Sequence, residues 1–129
     1  MDIGDFEKII PSRGGKKQPR LTLGASAYFR TNSTFNSLYK LEHKKAVDIR
    51  AKREPNKIIV AFRFLDENEA GSFAISHNPK NDTATFSGRG IFSHLNTNYK
   101  KVGTMSNLKV NIQNSNGEKL FIIEIPIDQ

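Results

Sequence analysis

A chain of 129 residues with no cysteine, 26% charged residues and a mean hydropathy of -0.54 fits one ordinary domain, and it excludes a disulfide framework, a thiolate nucleophile and a cysteine-based zinc site. No apolar run approaches the ~18 residues that span a bilayer, and the acidic start MDIGDFEKII lacks the cationic and apolar regions of a secretory signal, so a single cytoplasmic domain over residues 1–129, away from membranes, is expected. Twenty Lys and Arg against thirteen Asp and Glu give a net charge of +7, and the surplus is confined to the first half: fourteen basic and six acidic residues up to Phe64, six and seven beyond it. A field concentrated in this way attracts polyanions, of which nucleic acid is the commonest.

In chain order, Phe6, Ile9 and Ile10 form a short apolar group that Pro11 ends. Residues 11–20, with Gly14, Gly15 and the cations Arg13, Lys16, Lys17 and Arg20, read as a flexible basic loop or arm. Leu21 and Leu23 alternate, Gly24 breaks the run, and Tyr28 and Phe29 resume it, which predicts two short strands or one bulged strand. A short helix follows, capped by Asn32 or Ser33, with Phe35, Leu38 and Tyr39 on one face.

The stretch Lys44 to Phe64 is a β-hairpin with its turn at Glu54-Pro55-Asn56; Val47, Ile49 and Ala51 face inward, while Asp48, Arg50 and Lys52 face water. Asp66 to Gly71 is an acidic turn, and Gly71 to Ser87 a second hairpin around Asn78 to Asp82. Leu108 to Ile125 closes the chain as a third hairpin, its Asn116-Gly117 turn accepting positive φ cheaply. Val47 and Ile49 match Val110 and Ile112 at an offset of 63, which also pairs Phe29 with Phe92; Ile91 and Phe92 begin this second copy, and since 96–107 shows no clean helical stripe, either the copy lacks the helix or the match covers strands only. The expected fold is mainly β: a small closed or partly closed barrel of about seven short strands with one short helix and two related hairpin units, closure protecting the strand edges.

Arg20-Leu21-Thr22-Leu23 as first strand, Phe35-x-x-Leu38 as short helix, Leu41 after it, and Ala46-Val47-Asp48-Ile49 with Lys57-Ile58-Ile59-Val60 as hairpin together resemble the AbrB/SpoVT-like swapped-hairpin family of DNA-binding proteins over about a third of the chain. The proline that commonly follows the family's first strand is absent here. The resemblance implies two such units around a shared barrel, and DNA contact through Arg20, Arg30, Arg50, Lys52 and Arg53.

Gly14-Gly15-Lys16-Lys17 is not a phosphate-binding loop, because the positions that need glycine and Ser or Thr hold Ile10 and Lys17. It reads instead as a mobile cationic arm able to track a phosphate backbone, with a merely solvated, disordered loop as the alternative. Lys44, Lys45, Arg50, Lys52, Arg53 and Lys57 outnumber the nearby Glu42, Asp48 and Glu54 and form a candidate phosphate-contacting ridge, with a solvated, salt-bridged strand face as the alternative. Nine Phe and three Tyr read mostly as core, with Tyr28 and Tyr99 the more exposed ones. His43, His77 and His94 have no metal-ligand spacing, no Gly-x-Ser-x-Gly elbow appears, and neither an enzyme nor a cofactor is expected.

The candidate binding residues are therefore Arg13, Lys16, Lys17, Arg20, Arg30, Lys44, Lys45, Arg50, Lys52, Arg53 and Lys57. The expected function is non-enzymatic, regulator-like nucleic-acid binding, with duplex DNA the expected target and DNA before RNA, phosphates being contacted through the basic arm and the first hairpin. The alternative is a protein-binding module, a small inhibitor or accessory factor of a mobile element whose basic face engages an acidic or nucleoprotein partner, with homo-oligomers allowed in either case.

Overall fold

The computed structural model describes residues 18–106 and 108–127. The residues expected to form the basic arm, Arg13, Lys16 and Lys17 among them, lie outside the described residues, as does the apolar group before Pro11.

Among the described residues, nine strands form two antiparallel sheets. The first contains β1 (Leu21–Leu23), β2 (Tyr28–Thr31), β6 (Ser76–Asn78) and β7 (Thr83–Ser87) in the order β1-β2-β7-β6. The second contains β3 (Ala46–Glu54), β4 (Lys57–Leu65), β5 (Phe73–Ala74), β8 (Asn111–Ser115) and β9 (Glu118–Pro126) in the order β5-β3-β4-β9-β8. Three short helices, α1 (Ser33–Tyr39), α2 (Arg89–His94) and α3 (Tyr99–Val102), lie in the connections. Alternation builds the core. Leu21, Leu23, Phe29 and Phe86 point inward from the first sheet and meet Ile58, Val60, Phe62, Phe121, Ile123 and Ile125 of the second. Phe29, Phe62 and Phe86 lie with ring centroids 5.1 to 5.4 Å apart, so an aromatic cluster joins the two sheets.

The two antiparallel sheets do not close into a barrel, so the expected closed or partly closed barrel holds in its mainly β character and not in closure. The expectation assumed that so many short strands need closure to protect their edges. Three of the four edge strands are short or covered in another way: β5 and β6 are two and three residues long, and on β1 Leu23 exchanges backbone hydrogen bonds with Met105 while the Leu21 carbonyl accepts from the Leu108 amide.

The two halves follow one plan, a hairpin in the first sheet, a helix, then a hairpin in the second. The strand β2 leads into α1 and then β3-β4, and β7 leads into α2, α3 and then β8-β9. The innermost pairs of the two later hairpins are Glu54 with Lys57 and Ser115 with Glu118, an offset of 61 rather than 63. Ala61 and Ile122, also 61 apart, pair directly where β4 meets β9. A two-residue shift leaves every side chain on the same face, so hydrophobic alternation cannot tell the two offsets apart and only the turn chemistry fixes the register. The match of Phe29 with Phe92 does not hold in space, since the first lies on β2 and the second on α2. The second half does have its helix, at Arg89–His94, with a further turn at Tyr99–Val102 inside the segment without a clean helical stripe.

Other expectations hold. Asn32 caps α1, its side chain accepting from the Phe35 amide at 2.9 Å. Phe35 is buried, whereas Leu38 on the expected apolar face is 58% exposed. At the last turn, Asn116 and Gly117 have φ of 52° and 81°, the double positive φ of a tight hairpin turn.

Candidate nucleic-acid interface

The hairpin ridge and the outer face of the second sheet differ from the sequence expectation. Asp48, Arg50, Lys52 and Glu54 do project outward from β3. They meet Arg63 and Lys57 of β4, and Glu118 and Glu124 of β9, across the strands. Lys57 lies 2.7 Å from Glu124 and 3.8 Å from Glu54, and Arg50 lies 3.4 Å from Asp48. The acidic turn supplies partners for the cations before β3: Lys44 to Asp66 at 2.9 Å and Lys45 to Glu67 at 3.6 Å. Arg63 gathers three carboxylates, Glu118 at 3.0 Å, Asp48 at 3.2 Å and Glu69 at 3.7 Å.

The hydrogen bond that Lys57 donates to Glu124 raises the pKa of Lys57, and the one that Arg63 donates to Glu118 raises that of Arg63, with the charges of the same partners adding to the effect. Four of the eight described candidate cations, Lys44, Lys45, Arg50 and Lys57, thus sit beside carboxylates. The ridge is a charge-balanced surface crossed by half-buried Ile59, Ala61, Leu120 and Ile122. Arg53 falls on the inward-facing register of β3, opposite Ile58, but lies exposed at the sheet's end.

The outer face of the first sheet is of another kind. Along β2 the burial alternates, so Phe29 and Thr31 go inward and Tyr28 and Arg30 outward. On β7, Ala84 and Phe86 go inward, leaving Thr83, Thr85 and Ser87 outward. Register places Thr22, Arg30, Thr85 and Ser76 in one row across all four strands, with Tyr28 beside Ser87 and Asn78 beside Thr83. None of these outward positions is Asp or Glu.

Two further arginines extend this face. Arg20 precedes β1 on the same side as Thr22, and its backbone pairs with Asn32: its amide donates to the Asn32 side chain at 3.0 Å and its carbonyl accepts from the Asn32 amide. This makes Arg20 a diagonal cross-strand neighbour of Arg30, roughly 7–8 Å away by sheet geometry. At the other end, Arg89 opens α2 with its guanidinium 5.8 Å from the Tyr28 ring and 5.5 Å from the Tyr99 ring, and its Nε donates to the Ser26 carbonyl at 3.1 Å. Among the described residues, none of Arg20, Arg30 and Arg89 has a carboxylate within ion-pair distance.

The chain matches no protein-family model, no curated protein and no solved structure.

The site thus rests on its own chemistry. Of the residues singled out in the sequence, Arg20 and Arg30 come together on the carboxylate-free face, while Lys44, Lys45, Arg50, Lys52 and Lys57 lie around the balanced sheet. Gln18 lies beside the first group, its carbonyl accepting from the Asn32 side chain at 2.8 Å, next to Arg20. Arg89 escapes a reading of the sequence: it sits between two glycines that look only like a strand break, and its ring partners are distant or unremarkable in the chain. The acidic turn carries its meaning only in space, as the counter-charge to Lys44, Lys45 and Arg63.

Proposed function

We propose that the protein is a non-enzymatic nucleic-acid-binding protein with a regulator's role, and that its working surface is the outer face of β1-β2-β7-β6 together with the basic segment leading into it. The observation that carries this reading is an exposed run of Arg89, Tyr28, Arg30 and Arg20 among Thr and Ser hydroxyls, with no carboxylate at the outward positions of the described residues. Guanidinium groups suit phosphate oxygens, hydroxyls add neutral hydrogen bonds, and a face without acids has no like-charge repulsion toward a polyanion. The resemblance to the AbrB/SpoVT-like family favours DNA over RNA and gives Arg20 and Arg30 the same role.

A polarisation titration on single-stranded DNA, duplex DNA and RNA across a range of salt tests the reading. Affinity should fall as salt rises, because phosphate contact releases counterions. No binding at low salt, or an affinity that ignores salt, would sink it.

The second sheet supports another reading, a protein-binding module. Its outer face pairs Arg50, Lys57 and Arg63 with carboxylates around Ile59, Ala61, Leu120 and Ile122, a pattern suited to a protein surface rather than to a polyanion. A partner that stays bound after nuclease treatment and is lost on Ile122→Arg would favour this second surface.

A further inference from the structure

We infer that the polymer taken by the β1-β2-β7-β6 face is single-stranded, with one unpaired base stacked on Tyr28. This deepens the nucleic-acid reading above and rests on it. Large apolar side chains of this chain are mostly buried, but Tyr28 is 47% exposed, on the outer face of a four-stranded sheet, between the cations Arg30 and Arg89.

Its backbone is firmly set. Tyr28 opens β2 after a tight turn in which the Gly24 amide donates to the Tyr28 carbonyl at 2.8 Å and the Ala27 amide to the Gly24 carbonyl at 3.0 Å, and the Gly88 amide donates to the Ala27 carbonyl at 2.7 Å. The ring is held too, because the Arg89 guanidinium, itself bonded to the Ser26 carbonyl, lies against Tyr28 and Tyr99 together. A ring fixed in this way keeps its exposed area ready for a planar partner at little entropic cost. Phosphates on either side of a stacked base would meet Arg30 and Arg89. Successive outward positions on a strand are roughly 7 Å apart, so Tyr28 and Arg30 address neighbouring groups of one extended strand. A duplex offers no free base face, since its bases already stack on one another, whereas single strands are bound by aromatic platforms flanked by cations.

The test uses the full chain, with polarisation titrations of a labelled thymidine oligonucleotide, an abasic strand of the same length and a duplex. Wild type should bind the thymidine strand more tightly than the abasic strand. Tyr28→Ala should weaken the thymidine strand by roughly fivefold to a hundredfold, the range of one lost base stack, and abolish that preference. Tyr28→Phe, which keeps the ring, should stay within about twofold of wild type on that same ground. Equal loss on the thymidine, abasic and duplex probes, no loss at all, or Tyr28→Phe as weak as Tyr28→Ala would overturn the stacking role while leaving nucleic-acid binding intact. Wild type that binds none of the three probes at low salt would overturn both. The ring's exposure lets the variants be checked for an unchanged thermal midpoint.

Discussion

Gly88 lies so close to Phe29 that a Cβ on Gly88 would sit 2.5 Å from the Phe29 ring carbon Cε2 and 3.1 Å from the Ala27 carbonyl oxygen. Phe29 is fully buried at the centre of the aromatic cluster, so the ring has no direction in which to retreat. Gly88→Ala should therefore destabilise the fold by about 1–3 kcal/mol, the usual cost of overpacking. Urea denaturation would show the lowered midpoint. Phe29→Leu in the same chain frees space beside Gly88, so the double variant should lose less than the sum of the two single losses. A midpoint unchanged in Gly88→Ala would contradict the close approach.

Asn36 ties three elements together from a fully buried position on α1. Its Oδ1 accepts from the Thr31 hydroxyl of β2, and its Nδ2 donates at 2.6 Å to the carbonyl of Asp82, which has a φ of 53° in the turn between β6 and β7. Asn36→Ala strands that carbonyl and should cost about 1–3 kcal/mol. Asn36→Asp is more informative. A buried carboxylate facing a carbonyl is disfavoured, so its folded pKa rises above the unfolded value of about 3.9. Only the protonated acid can restore the donor, so the variant should be most stable near pH 4 and lose stability as pH rises from there toward neutrality. Urea midpoints at pH 4 and pH 7 read the difference, compared with wild type at the same pH.

These two sites also mark where the sequence stops being informative. The hairpins were legible because Val47, Ile49 and Ala51 alternate with charged residues and because Pro55-Asn56 and Asn116-Gly117 are strong turn formers; α1 was legible from Asn32 and Phe35. The six-residue helix α2 was not. Ile91 and Phe92 are adjacent and both buried, which in so short a segment suits a strand as well as a helix. Asn36 reads as a solvated helix residue until Asp82, far along the chain, is placed against it. Half of the candidate surface, Arg20 and Arg30, could be named from charge alone. What charge counting could not supply was the partner list: Asp66, Glu67, Glu118 and Glu124 reach Lys44, Lys45, Arg63 and Lys57 only once the sheets form.

Gly117 tests the hairpin turn without disturbing any contact. Its φ is 81°, and a Cβ there would meet nothing within 4 Å. Gly117→Ala should then cost only the backbone penalty of a left-handed conformation, about 1–2 kcal/mol. Gly117→Asn should recover part of it, because Asn tolerates that region better. A thermal or urea series over the three chains separates this conformational cost from packing.

The two sheets make opposite predictions for charge removal. On the first, Arg20, Arg30 and Arg89 face solvent with no carboxylate nearby, so each is free to neutralise a phosphate and release a counterion. Changing all three to Ala should reduce the slope of log affinity against log salt on a single strand by about 2, since each phosphate contact contributes about 0.7. On the second, Arg50 already leans on Asp48 at 3.4 Å, Lys57 on Glu124 at 2.7 Å and Lys44 on Asp66 at 2.9 Å. Replacing Arg50, Lys57 and Lys44 together should therefore shift the slope by less than about 0.7, the share of one contact. The same titration, run in parallel on the two triple variants, decides which sheet meets the phosphates: a larger loss from the Arg50 set would move the working surface to the long hairpin, and a larger loss from the Arg20 set keeps it on the carboxylate-free face.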